Sequence, residues 1–368
     1  MPLRPKSQRH RSFDSLMTRS NDNVWLHRFA CVLSVATLFL VALGGVVTTK
    51  GVGMAVPDWP TTYGENMFLF PPSKWIGGIF YEHSHRLVAA MVGLLTTILA
   101  VWLWLKESRA WVRWLGSLAF VGVVFQGVLG GMRVVFDVHG WGTELGVCHA
   151  VFAQLFFLLI CSIALFTSRW WNRNARPELS SANALAFRRP FALTTLLVLV
   201  QLIFGAAMRH QHAGLAVPDF PLAYGKLWPA TDAASVELYN AHRLEAAGES
   251  PITAAHIVVH MLHRFTGFAV LLAIVACAIM VWRKTAPGSL FRNVTGLWAA
   301  VVVVQVVLGI LAIWSQRKVD VTTAHVALGA VTFMLGWLLV LISSRFVSAK
   351  SPLPTEPLLA HAGRLKHA

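Results

Sequence analysis

The 368-residue sequence predicts an all-α integral membrane protein, with eight transmembrane helices forming two parallel-repeat four-helix bundles. Three observations carry this prediction. Eight apolar stretches each approach the roughly 20 residues that a bilayer core requires. Basic residues fall in alternate connecting segments, as the positive-inside rule expects. A set of short motifs recurs in the same order in the two halves of the chain.

Hydrophobic residues make up 56% of the chain and charged residues 13%, against roughly 25% charged in a soluble domain. The apolar stretches are about 26–47, 85–105, 115–135, 145–166, 191–208, 263–281, 294–314 and 324–342. Helices are the natural form for them, because an open strand edge cannot sit in lipid.

The net charge is +15. Arg4, Lys6, Arg9, Arg11, Arg19 and Arg28 precede or open the first span, and Lys106, Arg109 and Arg113 separate the second from the third. Arg169, Arg173, Arg176, Arg188 and Arg189 follow the fourth, Arg283, Lys284 and Arg292 the sixth, and Arg345 and Lys350 the eighth. This alternation places both termini in the cytoplasm and excludes a nucleic-acid-binding surface. Arg317 and Lys318 are the exception on the outer side, offset in part by Asp320. The basic, Ser-containing first twenty residues read as a solvated cytoplasmic tail or an organelle-targeting remnant. The first span is too long for a cleavable signal peptide and lacks a clean cleavage site. Cys31, Cys148, Cys161 and Cys277 lack metal-ligand spacing and read as small buried hydrophobes.

The repeat is the most informative feature. Gly53-Met54-Ala55-Val56-Pro57-Asp58-Trp59-Pro60 returns as Gly214-Leu215-Ala216-Val217-Pro218-Asp219-Phe220-Pro221, an offset of 161 residues between Ala55 and Ala216. Tyr63-Gly64 returns as Tyr224-Gly225. His85-Arg86 matches His263-Arg264 at 178, Gln126-x-x-x-Gly130 matches Gln305-x-x-x-Gly309 at 179, and His149 matches His325 at 176. The jump from 161 to 178 puts an insertion of roughly 17 residues in the second outer loop, within 231–250. Each half holds four spans, so the chain returns to the same side and the halves share one orientation. The Pro-Asp loops leave the helical path at matched places. They read as lids carrying Trp59 or Phe220 at the membrane boundary, or as direct contacts to a bound group.

His85, His149, His263 and His325 each lie near the start of an even-numbered span and at similar depth on the outer side. Two helices of one bundle present two imidazoles across a gap, the arrangement that ligates a haem iron from both faces. Zinc would call for three or four clustered ligands, and no metal other than haem iron is expected. Arg86 and Arg264 follow the first histidine of each half and suit haem propionates, or serve as interfacial cations. Glu82 precedes His85 by three residues and shares its helix face. It is a candidate catalytic proton acceptor, or a carboxylate favoured by the helix start. The matched position in the second half is His260. His83 lies about 160° around the helix from His85. His256 and His260 form a stripe with His263 that tunes that site or meets a propionate.

These residues resemble the haem A synthase family, comprising bacterial enzymes and their mitochondrial relatives in cytochrome oxidase assembly. The resemblance rests on Glu82-His83-Ser84-His85-Arg86, the repeated Gln-x-x-x-Gly, His149, His263-Arg264 and His325. Gly44-Gly45-Val46-Val47-Thr48, Gly53-Met54 and Asp58-Trp59 add to it. It covers about residues 26–342. It implies a cytoplasmic basic tail (1–25), a first bundle (26–168) receiving haem O as substrate on His85 and His149, and a cytoplasmic linker (169–190). A second bundle (191–345) would hold haem b as cofactor on His263 and His325, followed by a cytoplasmic tail (346–368). The implied reaction is stepwise oxidation of a methyl group of haem O to a formyl group, giving haem A for cytochrome oxidase, with Glu82 as the functional glutamate. Haem O, haem O synthase and membrane lipid are the implied partners; the electron donor is unidentified and homo-oligomerisation is left open. The implied location is the bacterial inner membrane rather than the mitochondrial one. The sequence departs from the family in lacking a cysteine pair in the first outer loop and in reading Thr49-Lys50 where Thr-Arg is usual. Its Ala-Val-Pro-Asp loop is also not the commonest form. Two other readings stand beside this one: a di-haem electron carrier of the cytochrome b type, and a transporter built from two parallel repeats.

Overall fold

The computed structural model describes residues 23–172, 181–247 and 251–348. Most of the predicted tails 1–25 and 346–368, and part of the linker 169–190, lie outside the described residues. Among the described residues eight helices are long and apolar enough to cross a membrane: α1 (Val24–Thr49), α2 (Gly78–Lys106), α3 (Ala110–Val135), α4 (Gly142–Thr167), α5 (Ser181–His210), α6 (Ala254–Lys284), α7 (Leu290–Trp314) and α8 (Val319–Ser348). The protein is thus a multi-pass, all-α membrane protein, as the apolar stretches predict. Large apolar side chains such as Leu94, Val101, Leu118, Val121, Leu272 and Val303 stand exposed on the helix surfaces, as a bilayer solvent permits.

The helices begin earlier than the hydropathy pattern suggests. α2 starts at Gly78 rather than 85 and α6 at Ala254 rather than 263. His85, His149, His263 and His325 therefore sit about two turns inside their helices. The reason is that the first turns carry Glu82, His83, His256 and His260, which dilute the apolar signal without ending the helix. Most serine and threonine hydroxyls within the spans donate to carbonyls three or four residues back, among them Thr37 to Leu33 and Thr96 to Val92, which satisfies them inside their own helix; Thr322 and Thr323 are buried without a partner.

α1 packs on α2, α2 on α3, α3 on α4, and α4 returns to α1; α5, α6, α7 and α8 close on one another in the same way. The two sets meet where α8 touches α1 and α4, and α4 touches α5. The ends away from the Pro-Asp loops are solid. Leu26, Leu33, Leu99, Leu103 and Ile163 fill the first set, and Phe187, Phe191, Phe291, Trp298 and Phe346 the second. Phe157, Cys161 and Ala330 fill the seam between them. Cys161 and Cys277 are buried as expected, but Cys31 and Cys148 are exposed, because they lie on helix faces that no other helix covers.

The two Pro-Asp loops share one construction. Asp58 accepts hydrogen bonds from the Tyr63 and Gly64 amides, and Asp219 from those of Tyr224 and Gly225. The Tyr63 hydroxyl donates to the Ala55 carbonyl, and that of Tyr224 to Ala216. Trp59-Pro60 and Phe220-Pro221 are both cis. The insertion in the second loop forms a helix, Ala233–Ala247, whose Tyr239 stacks on Tyr224 at 3.7 Å. Asn240 exchanges two hydrogen bonds with the Ile252 backbone.

Burial would raise the Asp58 carboxyl. Hydrogen bonds from the Gly64 amide, the Thr61 hydroxyl and the Tyr63 amide outweigh it and hold the group below the usual carboxylate range. Its contribution to loop closure is therefore complete above the unfolded value of about 3.9 and is lost as pH falls below that towards the folded value. Hydrogen exchange of residues 54–64, corrected for intrinsic rates, should stay slow down to about pH 4 on this sign and accelerate below it. Asp58→Asn should make exchange fast at neutral pH; unchanged protection in that variant would show that the carboxylate does not hold the loop.

Candidate functional site

Above the solid inner core the two halves are hollow. One cavity, of about 470 Å³, is lined by Glu82, His85, Arg86, Gln126, Arg133 and His149. The other, of about 210 Å³, is lined by Gln201, His260, His263, Arg264, Gln305 and His325. The first lies within the 300–1,000 Å³ typical of small-molecule sites; the second is narrower. Ala150, Gln154, Arg209 and Val326 line both, so the cavities share a wall.

Each histidine ring faces a glycine on the neighbouring odd-numbered helix. A Cβ on Gly44 would stand 3.2 Å from His85 Nε2, one on Gly130 3.0 Å from His149 Cε1, one on Gly205 3.0 Å from His263 Cε1, and one on Gly309 3.1 Å from His325 Cε1. Any side chain at these positions would push the ring. Gln126 Nε2 donates to the His149 carbonyl, Gln305 Nε2 to that of His325, and Gln201 Nε2 to that of His263. His325 Nδ1 lies 3.0 Å from the Gln305 carbonyl, which favours the Nδ1–H tautomer and leaves Nε2 uncommitted. His149 Nδ1 and His263 Nδ1 are buried without a partner.

These features fit a haem. The ring centroids of His263 and His325 are 6.3 Å apart. Two metal–imidazole bonds of about 2.0–2.1 Å and two ring radii fill that gap. Among the described residues no three His, Cys, Asp or Glu side chains gather as a metal site, so the imidazole pairs are the available donors. Buried imidazole nitrogens without partners are costly unless something occupies the cavity.

Glu82 is buried at 4% exposure. Its Oε1 pairs with Arg86 Nη2 at 2.8 Å and its Oε2 accepts from the Val56 amide at 2.8 Å. Arg86 also donates to the Val56, Asp58 and Thr61 carbonyls. Arg264 does the same for Val217, Asp219 and Leu222. The repeated arginines thus clamp the Pro-Asp loops over the cavities. Arg264 keeps its Nε without a partner. In the second half His260 Nδ1 lies 3.2 Å from the Ala213 carbonyl, four residues before Val217, the counterpart of Val56. His83 turns away from the first cavity, with Nδ1 near the Thr62 hydroxyl and its ring against Trp75. His256 completes the capping box of α6 with Thr253. Trp59 packs on Gly131 and lines the first cavity; Phe220 lines the second.

Sequence reasoning missed Arg133, Gln154, Gln201, Arg209 and His210 as lining residues. Arg209 and His210 end α5 yet reach the first cavity, and their counterparts at an offset of 161 are Thr48 and Thr49, so the repeat gave no signal. Arg317, flagged only as a charge exception, lines the second cavity.

A family model described as "Cytochrome oxidase assembly protein" (COX15-CtaA) matches residues 76–336. Proteins named "Heme A synthase" are similar along most of the chain. That of Alkalihalophilus pseudofirmus is 27% identical over 320 residues, covering 83% of this chain and 93% of the relative. That of Halalkalibacterium halodurans is 26% identical over 328 residues, covering 86% and 96%.

The glycine contacts make a direct prediction. Gly309→Val should displace His325 and leave purified protein with several-fold less haem by pyridine haemochrome assay. Gly122→Ala, whose Cβ would meet Phe156 at an ordinary 3.5 Å, should retain the wild-type amount. Equal haem in both variants would show that the facing glycine does not set the ring position.

Proposed function

Because the chain belongs to the cytochrome oxidase assembly protein family, we propose that it is a haem A synthase, oxidising the methyl group of haem O to a formyl group. The observation that carries this reading is the pair of abutting cavities, each holding two glycine-faced histidines on even-numbered helices, of which, among the described residues, the first alone is lined by a buried glutamate. In this reading the chain is two parallel-repeat four-helix bundles, 26–168 and 191–345, joined by 169–190. Both termini are cytoplasmic, in a bacterial inner membrane.

His263 and His325 hold haem b, which supplies one-electron transfer when bound. The narrower cavity suits a group that is kept. His85 and His149 hold haem O as substrate, and the larger cavity suits a group that enters and leaves. Ala150, Gln154, Arg209 and Val326 line both cavities and would separate the two haems by a single layer of side chains.

Glu82 is the candidate catalytic residue. Its carboxylate is fixed by Arg86 and the Val56 amide on the cavity wall beside His85, so a proton leaving the substrate has a positioned acceptor. The same contacts tie the glutamate to the lid, and closing the loop both excludes water and sets the acceptor. Arg86 and Arg264 spend most of their donors on the loop carbonyls and have only their remaining edges for a propionate. Haem O synthase, as the source of the substrate, is the expected partner.

Product analysis tests the reading. The protein expressed with a haem O source should yield haem A by chromatography; a haem-loaded protein that never forms it would support a cytochrome b-type carrier instead. Glu82→Gln keeps the oxygen that accepts from Val56 but removes the charge. It should retain bound haem while conversion falls by roughly 10²–10⁴-fold, the range for loss of a general acid–base group. His263→Ala or His325→Ala should lose the retained haem. Full conversion in Glu82→Gln would remove the glutamate from the mechanism.

A further inference from the structure

The guanidinium groups of Arg133, Arg209 and Arg317 make no hydrogen bond or ion pair among the described residues. Arg133 ends α3 and lines the first cavity, Arg317 follows α7 and lines the second, and Arg209 ends α5 and lines both. The Nε atoms of Arg133 and Arg209 are buried and partnerless.

Two of these arginines occupy the same place in the two halves. A Cβ on Gly53 would stand 2.8 Å from Arg133 Nη2, and one on Gly214 3.2 Å from Arg317 Cδ. Gly53 and Gly214 are repeat partners at the offset of 161, but Arg133 and Arg317 are not: the position matching Arg133 at 179 is Ala312. Each half has thus brought a guanidinium to its loop glycine from a different point in the chain. Arg209 has no counterpart and stands in the shared wall.

Buried cations are costly without a contacting anion: Arg209 is repelled by both Arg317 and Arg133, and Arg133 feels Glu82 and Asp137 only through space, with no ion pair. Their position defines the missing anion. They lie at the outer ends of two cavities that, on the reading above, each take a haem, and a haem carries two carboxylates along one edge. Guanidinium matches carboxylate in a planar, bidentate way. On that reading of the two sites, we propose that Arg133, Arg209 and Arg317 form one carboxylate-binding rim. Arg133 takes a propionate of the haem in the first cavity, and Arg317 takes one in the second. Arg209 takes one from each. The rim turns the carboxylate edge of both haems outward and makes Arg209 a charge shared by the two sites, so that occupancy of one site changes the potential of the other.

The test compares haem with its dimethyl ester, which keeps the iron and ring but has no carboxylates. The full-length chain from a haem-deficient host is titrated with each and followed by absorbance and spectroelectrochemistry. Wild type should bind the ester roughly tenfold to hundredfold more weakly, the equivalent of a charged hydrogen bond. Arg133→Gln should weaken haem, but not the ester, in the first cavity. Arg317→Gln should lower the midpoint potential of the haem on His263 and His325 alone. Arg209→Gln should alter both sites and abolish the dependence of one potential on the other's occupancy, with Arg209→Lys restoring part of it. Equal affinity of wild type for haem and ester would overturn the rim and assign the arginines to another anion, such as a lipid phosphate; that arm needs no variant to fold. Wild-type potentials at both sites in Arg209→Gln would overturn the bridging role. Failure of the wild type to bind haem in either cavity would instead bring down the two-haem reading, and the rim with it.

Discussion

An imidazole can stand in a gap between two helices only where the facing helix offers no side chain. That constraint is met four times, by Gly44, Gly130, Gly205 and Gly309 opposite His85, His149, His263 and His325. Even-numbered helices carry the rings and odd-numbered helices make room for them. The same helices pack without such gaps at their inner ends, where Leu33, Leu99, Phe191 and Trp298 are fully or almost fully buried. A solid floor fixes the helix spacing, and the glycines convert that spacing into a cavity wide enough for a cofactor. Filling a single glycine changes where a ring can stand before it changes the fold.

Arg86 and Arg264 are held chiefly by the loops, with the Glu82–Arg86 pair as an addition in the first half. Arg86 gathers three loop carbonyls and one carboxylate; Arg264 gathers three carbonyls and no carboxylate. The halves are therefore alike as scaffolds and differ in chemistry beside the first histidine of each, where Glu82 is replaced by His260. A buried carboxylate that both braces a lid and faces a cavity links the state of the lid to the state of the site.

Eight apolar runs, and four histidines recurring in order, were enough to read the helices and the matched histidine positions from the sequence. The helix starts were not legible, because the turns that carry Glu82, His83, His256 and His260 look polar to any hydropathy count. The role of Arg86 and Arg264 was half legible. Their repetition marked them, but side-chain chemistry cannot say that a guanidinium will find backbone carbonyls before it finds a carboxylate. Gly130 and Gly309 were visible as the ends of a repeated Gln-x-x-x-Gly; Gly205 ends a third copy, Gln201-x-x-x-Gly205, and matches Gly44 at the offset of 161. Arg209 was invisible, since an arginine at the end of a membrane helix is ordinary and the first half has nothing to match it.

The clamps on the two lids reach main-chain oxygens: Val56, Asp58 and Thr61 in one half, Val217, Asp219 and Leu222 in the other. Every residue offers a carbonyl, so the clamp does not care which side chain sits above it. Threonine in one half can become leucine in the other, and tryptophan can become phenylalanine, without loosening the grip. After a duplication, such a lid leaves its side chains free to differ, Trp59 and Phe220 on the cavity walls among them, while its backbone shape stays fixed. Two copies of one container can in this way come to admit different contents.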